Sequence, residues 1–423
     1  MRDTGVGSEI CWERSVPVSH EADVVVIGGG IAGVSGACAA ARSGVSVLLV
    51  ERFGVTGGVL TTGGVANFCG QLQGQGEVFD TILEGLRAFG ALGEEARHSV
   101  FHYEILAFVL QELLLRRGVR LLLHTRFVDA CVREGRISAC VVCGASGPRA
   151  IRARQFIDCT GESVLARAVG CRTMKGSERS PYSLPMSMMY FVRHVPGDAP
   201  LPRLPDGWLE RIESAEDLPM TSIWPDGPGG NAVKIKVPMF DSTDTESLTR
   251  AETAARRRMM QVMDYHGRVE HKPWRLDHCS PIIGIREGCR VLGDAILSVD
   301  DLRAGRRFDD AIARGTFYLD GHKPDDDKRT YILPRDELEV PPYHIPLRCL
   351  VARDAHNLMM AGRNLSADQL ALSSARVATT GSMMGQAAGI ASALACTRGC
   401  DVRKVDPNDI QDELRARGAS LDL

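Results

Sequence analysis

The alternation of apolar and polar positions near the start of the chain predicts a strand, a tight turn, a helix and a second strand. The first apolar run, residues 24–27, is followed by Gly28, Gly30 and Gly33, and the next apolar run closes at Glu51. Gly28 permits the turn, Gly30 lets the backbone approach a pyrophosphate, and Gly33 lets the helix pack closely on the sheet. An acid about 20 residues after the first glycine accepts hydrogen bonds from a ribose hydroxyl. The pattern therefore predicts a dinucleotide-binding unit.

The segment that follows, residues 53–76, is rich in glycine and holds few side chains that can build a core. Backbone of this kind can lie directly against a flat ligand, so we interpret the segment as a ligand-binding loop. A flexible surface loop without a ligand is the alternative interpretation.

The hydrophobic pattern then predicts a helix, a hairpin and a long strand. Helical spacing covers residues 103–117, residues 120–124 form an apolar strand, and residues 128–142 predict a hairpin that turns near Glu134. The strand over residues 150–161 ends in Asp-Thr-Gly before a short helix. Its terminal backbone amides form a second place where a ligand can bind.

The character of the chain changes after residue 171, which predicts a second domain inserted into the first. Proline, methionine and tryptophan become frequent, an Arg-rich helix follows, and the chain then returns to a short buried strand and a helix of small residues. We expect a first part of a nucleotide-binding domain, an inserted mixed α+β domain, a return segment and a C-terminal helix or tail, at residues 20–171, 172–350, 351–400 and 401–423.

The predicted helix of small residues, 379–395, contains Gly381, Gly385 and Gly389. Each glycine inside a helix costs about 1 kcal/mol relative to alanine. Such a helix needs a close neighbour, which is either packed backbone or a ligand near its start.

Composition and charge narrow the class of protein. A chain of 423 residues with 44% hydrophobic and 24% charged residues is long enough for a globular protein of two domains. The net charge is −3, so the chain lacks the excess of basic residues that would indicate nucleic-acid binding. No apolar run approaches the roughly 18 residues of a membrane span, and the first twenty residues lack the apolar block of a secretory signal. We therefore expect a cytoplasmic enzyme that binds neither nucleic acid nor a membrane.

The cysteines and histidines do not predict a metal site. Most of the 13 cysteines lie in apolar or alanine-rich runs, which is typical of reduced, buried thiols. Cys140 and Cys143 form a lone CxxC on a predicted strand, where residues three apart point to opposite faces. No close histidine pair has metal spacing, so we assign no metal.

Several short sequence blocks follow one another along the chain in a characteristic order. They are the glycine turn, the Leu-Val-Glu-Arg strand end, Thr-Gly-Gly with its glycine loop, Asp-Cys-Thr-Gly, Ile-Arg-Glu, Pro-Tyr-His-Ile-Pro-Leu-Arg, Ala-Gly-Arg and the final Gly-Gln-Ala-Ala-Gly. Together they resemble the FAD-dependent oxidoreductase family of the glutathione-reductase superfold. The resemblance implies an α/β fold: a Rossmann-like FAD-binding domain of the glutathione-reductase type with an inserted mixed α+β substrate domain. It also implies FAD as the cofactor.

The resemblance assigns the adenosine and diphosphate end of FAD to the first blocks. Gly28, Gly30 and Gly33 would hold the diphosphate, and Glu51 the ribose. Val128, on the hairpin strand, would give backbone contacts to the adenine.

The resemblance assigns the flavin end to the later blocks. Gly362 and Arg363 would lie near the ribityl chain. The helix start from Gly381 to Gln386, which includes Gly385, would direct its dipole at the pyrimidine part of the ring. Reduction leaves negative charge there, which a helix N-terminus stabilises. The remaining expected FAD contacts are Ile31, Ala32, Arg52, Gly57, Gly58, Thr62, Thr160 and Gly161.

Four residues are candidates for chemistry on the substrate. Tyr343, His344 and Arg348 lie close together in a proline-bracketed strand, where His344 is a candidate base and Arg348 an anchor for a carboxylate or the flavin. Ordinary hydrogen bonds between domains are the alternative role. Arg286 is a candidate for binding an anionic substrate, and a salt bridge within the protein is its alternative.

The leading functional hypothesis is an FAD enzyme that dehydrogenates a small organic substrate by hydride transfer to flavin N5. Oxygen or another acceptor then reoxidises the flavin. The chain has no second strand–GxGxxG–helix unit for NAD(P)H and no CxxC in the glycine loop for a disulfide relay. The alternatives are an NAD(P)H-dependent flavin monooxygenase, a flavoprotein acting on tRNA and a non-catalytic flavin-binding subunit. Cys69 is a candidate for a covalent flavin bond or a redox partner, or else a buried bystander.

Overall fold

A computed structural model describes residues 13–93, 98–197, 200–201, 203–226 and 229–423. The predicted lack of a secretory signal concerns in part residues 1–12, which lie outside this range. The strands are β1 (Val18–Ile27), β2 (Val47–Val50), β3 (Asn67–Cys69), β4 (His98–Val100), β5 (Arg120–Leu122), β6 (Arg126–Arg133), β7 (Arg136–Gly144), β8 (Gly147–Asp158), β9 (Thr173–Met174), β10 (Met186–His194), β11 (Thr221–Pro225), β12 (Gly230–Val237), β13 (Trp274–Cys279), β14 (Arg290–Val291), β15 (Ala311–Gly315), β16 (Tyr343–Pro346) and β17 (Leu358–Met360). The helices are α1 (Ile31–Arg42), α2 (Glu77–Ala88), α3 (Tyr103–Arg116), α4 (Val164–Ala168), α5 (Thr245–Arg268), α6 (Val299–Arg303), α7 (Gln369–Ala375), α8 (Ala378–Arg398) and α9 (Pro407–Ala416).

The main sheet is parallel through its centre, in the order β5-β2-β1-β8-β17. Its central strands are continuous apolar runs: all of β2 is buried, and so are the last four residues of β1. Strands of this kind are buried on both faces because helices cover a parallel sheet on both sides. The carboxyl ends of β1, β2, β8 and β17 therefore meet at one edge of the sheet.

The β6–β7 hairpin extends this sheet through antiparallel pairing of β7 with the first half of β8. The hairpin turns at Glu134 and Gly135, whose φ angles are 50° and 72°. Two consecutive left-handed residues match the right-handed twist of the strands that they join. The second half of β8 pairs instead with β17, so one long strand links the hairpin to the parallel sheet.

Helices α1 and α8 pack backbone against backbone. A β-carbon on Gly385 would overlap the carbonyl oxygen of Ala32, and one on Gly389 would overlap that of Gly36. A step of four residues along one helix matches a step of four along the other, so the two helices run parallel and begin at the same end. The glycines that cost α8 helix propensity thus provide the close approach that their density predicted.

A second, antiparallel sheet has the order β11-β12-β10-β13. One face of β10 and β12 packs on α5 in a separate hydrophobic core whose members lie within residues 186–285. The opposite face carries Met189, Phe191 and Ala232 and points to the glycine-rich segment near Val65. This face of the sheet therefore packs against the glycine-rich segment, where it can also border a ligand site.

The segment between this sheet and β17 packs back onto the first core. Apolar residues of α6, β15 and β16, among them Leu302, Ile312 and Ile345, join the cluster that contains α1 and α8. The separate core thus spans fewer residues, 186–285, than the expected inserted domain, 172–350. None of the helices in the described parts of the chain is long and apolar enough to cross a membrane.

The predicted α/β class, a Rossmann-like parallel sheet with an inserted α+β part, is confirmed. The helix expected over residues 103–117 is α3, the hairpin is β6 and β7, and the small-residue helix is α8. Element ends differ from the sequence estimate by a few residues, because terminal turns depend on tertiary contacts.

We expect Gly389→Ala to destabilise the protein. The added methyl group meets a backbone oxygen that cannot move without separating α1 from α8. Such overpacking costs about 1–3 kcal/mol, which exceeds the gain in helix propensity of about 1 kcal/mol. Urea unfolding of the flavin-free protein measures the change. Gly381→Ala is the matched control, because its nearest neighbour is Ile31 Cγ2 at 3.5 Å, an ordinary contact distance. Equal effects of the two substitutions would contradict the packing argument.

Candidate functional site

A cavity of about 630 Å³ opens at the edge where the parallel strands end. Open α/β sheets bind ligands in the crevice outside the carboxyl ends of their strands. Each of four strands contributes the residues that directly follow it, and these are Gly28 and Gly30 after β1, Glu51, Arg52 and Phe53 after β2, Cys159 to Glu162 after β8, and Ala361, Gly362 and Arg363 after β17.

The turn between β1 and α1 leaves its backbone exposed to this cavity. Gly28 has a φ of 101°, and a β-carbon there would lie 2.7 Å from the carbonyl oxygen of Cys159. A β-carbon on Gly30 would have no neighbour within 4 Å, so the space beside it is open. Gly30 also begins α1 without a side-chain cap. The N–H groups of the first helical turn that follow Ile31, beginning with Ala32, therefore border an open space suited to an anion.

Gly33 does not line the cavity. A β-carbon at this position would overlap the carbonyl oxygen of Gly28, so only glycine lets α1 sit this close to the turn. Gly33 therefore permits the close packing of helix on sheet that the sequence pattern predicts.

Glu51 is buried at the second strand end and is held by backbone amides. Its Oε2 accepts a hydrogen bond from Gly29 N at 2.6 Å, and its Oε1 accepts one from Phe53 N at 2.9 Å. Burial raises the pKa of this carboxyl group, and the two amide hydrogen bonds oppose that rise. Each carboxylate oxygen keeps a lone pair free for a ligand hydroxyl. Val128 and Arg52 line the same end of the cavity.

Asp158 organises the turn at the end of β8. Its carboxylate accepts hydrogen bonds from Thr160 N at 3.0 Å and Thr160 Oγ1 at 2.7 Å, and from the amides of Leu165 and Ala166 at 3.0 Å each. This fixes Thr160 and Gly161 at the cavity wall. Sequence reasoning identified the turn but not the role of Asp158 in holding it.

Arg363 lies across the same turn. Its guanidinium donates to Glu162 Oε1 at 2.6 Å, and a β-carbon on Gly161 would overlap that guanidinium. The Nε of Arg363 is buried and has no partner among the described residues. Gly362, with a φ of 104°, exposes its backbone beside it.

The glycine-rich segment closes over the first turn. Gly57 N donates to the carbonyl oxygen of Gly29 at 2.7 Å, and both Gly57 and Gly58 line the cavity. Thr62 does not line the cavity. Its hydroxyl donates to the carbonyl oxygen of Gly58 at 2.8 Å. The segment is therefore an ordered part of the cavity wall.

The start of α8 reaches the cavity through Ala378 and Gly381. Gly385 and Gln386 lie one turn further along and do not line it. Gly385 packs on α1, and the Gln386 side-chain amide donates to the carbonyl oxygen of Gln75 at 2.8 Å. The predicted helix-dipole position thus corresponds to the first turn of α8 and not to the Gly-Gln pair.

Three of the four candidate catalytic residues lie outside the cavity. The Tyr343 hydroxyl contacts Ser374 Oγ at 2.7 Å, and His344 bridges Phe308 N and the Leu421 carbonyl oxygen at 3.1 and 2.7 Å. Arg348 is exposed and forms an ion pair with Asp310 at 2.9 Å. These contacts tie β16 to neighbouring elements, which is the alternative role considered for them. Tyr343 and His344 lie on β16 and Arg348 directly follows it, and closeness along the chain does not determine which cavity these side chains border.

The fourth candidate, Arg286, does line the cavity, together with residues that sequence reasoning did not select. We use "cationic chamber" for the part of the cavity bounded by Ser187, Met189, Trp224, Lys234, Arg286, Phe317, Tyr318, Asp320 and Arg376. Lys234 lies on β12 in an alternating Val-Lys-Ile-Lys-Val run. That alternation marks a lysine face, yet only the packing of Val233 and Ile235 on α5 shows that this face borders the cavity.

Charges in the cationic chamber influence one another strongly. Burial and the neighbouring Arg286 charge lower the pKa of Lys234 to about 8, and burial lowers the pKa of Arg286 to about 10. Burial alone would raise the pKa of Asp320. The hydrogen bond with His322 and the charges of Arg376 and Arg286 outweigh burial and hold that pKa below its ordinary value.

Cys69 lines the cavity, but burial raises the pKa of its thiol to about 11. The thiolate is the nucleophilic form of cysteine, so this environment disfavours reaction. Of the two cysteines in the lone CxxC, Cys140 is buried and Cys143 is partly exposed. Within the described ranges, no group of three or more His, Cys, Asp or Glu side chains is placed to hold a metal ion.

The nucleotide end of the cavity fits FAD on three observations. The space beside Gly30 accepts a diphosphate at the start of α1, Glu51 has free acceptor positions for a ribose, and the buried Nε of Arg363 lacks a partner. The start of α8 at the same cavity suits a ring system that gains negative charge on reduction.

Gly30→Val tests this cradle. We expect a protein that folds like the wild type but purifies without FAD, because valine tolerates the extended backbone of Gly30 and fills the open space. Flavin absorbance per chain and the unfolding temperature without flavin are the measurements. Gly197→Val is the control, since Gly197 also has open space around it and does not line the cavity. A yellow Gly30→Val protein would refute the assignment.

Comparison with known proteins identifies the family. The family model described as FAD dependent oxidoreductase matches residues 23–414. Digeranylgeranylglycerophospholipid reductase 2 of Methanothermobacter thermautotrophicus is 27% identical over 298 residues, which cover 67% of this chain and 73% of that protein. The crystal structure of a geranylgeranyl bacteriochlorophyll reductase-like protein from Thermoplasma acidophilum shares the fold, with a TM-score of 0.51 and 13% identity over 94% of this chain and 83% of that one. This chain belongs to the FAD-dependent oxidoreductase family and uses FAD as its cofactor.

Proposed function

We propose that this protein oxidises a small organic substrate, removing a hydride from a carbon atom in the cationic chamber. The observation that carries the proposal is the continuity of the cavity. One cavity contains the dinucleotide cradle at Gly30, the start of α8 at Gly381 and the polar chamber around Arg286. A substrate in the chamber would therefore be next to the cofactor.

FAD, when bound, supplies a two-electron acceptor for a hydride at N5 and later passes the electrons to oxygen or another acceptor. The chain supplies the surroundings. Met189, Trp224 and Phe317 give the chamber apolar walls, which exclude water and strengthen the electrostatic interactions inside it. Arg286 is held by the carbonyl oxygen of Pro185 and by Ser187, so its guanidinium is fixed before a substrate arrives.

The start of α8 has a role in the same proposal. Ala378 and Gly381 present the first helical turn to the cavity, and the positive end of a helix dipole favours negative charge nearby. Thr379 anchors this turn by donating from its hydroxyl to the carbonyl oxygen of Cys69 at 2.9 Å. The glycine-rich segment and α8 are thereby held together at the cavity wall.

Reduction of a substrate is the second candidate, and one observation favours it. The relative from Methanothermobacter thermautotrophicus is a reductase by name, and it matches two thirds of this chain. In that case an external donor would deliver electrons to the flavin. NAD(P)H-dependent monooxygenation also needs such a donor. The source of the electrons therefore separates the leading proposal from both alternatives.

We expect NADPH or NADH to leave the visible spectrum of the FAD-loaded protein unchanged under anaerobic conditions. The reason is that the sequence has no second nucleotide-binding unit and the proposed electron source is the substrate. Stopped-flow absorbance at the flavin band measures the reaction, with dithionite as the control that full reduction is observable.

Rapid bleaching by either nucleotide would reject the leading proposal. Consumption of oxygen and nucleotide without a further substrate would then favour the monooxygenase. Bleaching that is reversed by an unsaturated substrate in the absence of oxygen would favour the reductase.

A further inference from the structure

The cationic chamber carries more positive charge than its own acids balance. Arg376 is paired with Asp320 at 2.7 Å, which leaves Lys234 and Arg286. The other acids that line the described part of the cavity, Glu51 and Glu162, lie at the nucleotide end, after β2 and after β8. Two cations of the chamber are therefore left without a carboxylate of their own.

The contacts of these two cations involve neutral groups. Arg286 donates to the carbonyl oxygen of Pro185 at 2.8 Å and to the hydroxyl of Ser187. The Lys234 ammonium lies 6.0 Å from the centre of the Trp224 ring, and no described residue forms an ion pair or a hydrogen bond with it. Both residues are partly buried in the cavity wall. A charge shielded from water without a counter-charge destabilises a fold, so its presence points to a ligand that completes the pair.

Two further donors without partners belong to residues that line the same chamber. Trp224 Nε1 and Arg376 Nε are both buried and have no hydrogen-bond partner among the described residues. Buried polar groups in proteins are nearly always satisfied, so orphaned donors beside unpaired cations indicate a missing acceptor. Trp224 and Lys234 lie on the paired strands β11 and β12, whereas Arg286 follows β13, so their convergence is a property of the fold.

We propose that the substrate carries a carboxylate group, which binds between Lys234 and Arg286 in the cationic chamber. The inference rests on the proposed function, since it names the substrate class of that site. A planar guanidinium matches a carboxylate, and a lysine ammonium adds a second charge. Apolar walls from Met189, Trp224 and Phe317 then suit a compact organic acid, whereas two unpaired cations oppose a purely hydrocarbon chain.

Benzoate is the probe for this site, because it joins a carboxylate to an aromatic ring and undergoes no oxidation itself. We expect benzoate to perturb the flavin absorbance of the FAD-loaded protein with saturation, and benzyl alcohol to bind much more weakly. Lys234→Met and Arg286→Met should each raise the Kd for benzoate by about 10- to 100-fold, the loss expected for a charged hydrogen bond.

Lys323→Met is the matched control. Lys323 is exposed and does not line the cavity, so its replacement should leave the Kd unchanged. FAD content and unfolding temperature verify that each variant is folded. Should Arg286→Met lose FAD, the comparison of Lys234→Met with Lys323→Met still decides the proposal.

The pH dependence gives an independent measurement. Benzoate affinity should fall as the pH rises above about 8, because Lys234 loses its proton there. The titratable groups that face Lys234 keep their charge state through this range, because the pKa of Arg286 is about 10, that of Asp320 lies below its ordinary value, and that of the Cys69 thiol is about 11. The neighbouring Arg376 is paired with Asp320. The fall should be absent in Lys234→Met.

Unchanged benzoate affinity in both Lys234→Met and Arg286→Met would overturn the proposal and would assign these charges to the flavin instead. Equal binding of benzyl alcohol, or tighter binding of phenylphosphonate, would also overturn the carboxylate assignment. Binding is measured without turnover, so the two proposals fail separately. A protein that binds benzoate as expected but is reduced by NADPH would reject only the proposed oxidation.

Discussion

The whole site depends on the backbone contact between α1 and α8. Gly385 and Gly389 let α8 approach the carbonyl oxygens of Ala32 and Gly36, and this contact makes the two helices parallel. Both helices therefore begin at the edge where the parallel strands end. In the proposed arrangement, the start of α1 faces the diphosphate of FAD and the start of α8 faces the flavin ring. A larger residue in this contact would separate the two ends of a single cofactor site.

The second sheet supplies the part of the cavity wall that the Rossmann-like sheet does not provide. One face of β10 and β12 packs on α5, so the opposite face, with Met189 and Lys234, forms a wall of the cavity. The segment that follows β15 brings Asp320 to the same space, and α7 ends beside it at Arg376. The proposed cofactor end thus consists mainly of backbone in conformations that favour glycine, whereas the proposed substrate end carries charged side chains from distant segments.

The geometry of the glycine turn could be predicted from the sequence because local rules determine it, and its role in holding FAD stays a prediction. A strand, a glycine turn, a helix and an acid in order specify the cradle at Gly28 and Gly30 with little reference to the rest of the chain. The substrate end has no such local rule. Tyr343, His344 and Arg348 look like a catalytic cluster along the chain, yet β16 directs them to other contacts. Lys234 and Asp320 are 86 residues apart in number. The packing of Val233 and Ile235 on α5 turns Lys234 toward the cavity, and the pairing of β12 with β10 sets it beside Met189.

The central claim is that one cavity holds FAD at the strand ends with its ring system at the cationic chamber. A crystal structure of the FAD-loaded protein with benzoate tests it most directly. The account predicts electron density for the diphosphate beside Gly30, for the flavin ring near Gly381, and for benzoate with its carboxylate toward Arg286. A flavin ring outside the chamber, or benzoate density away from Arg286 and Lys234, would contradict the account.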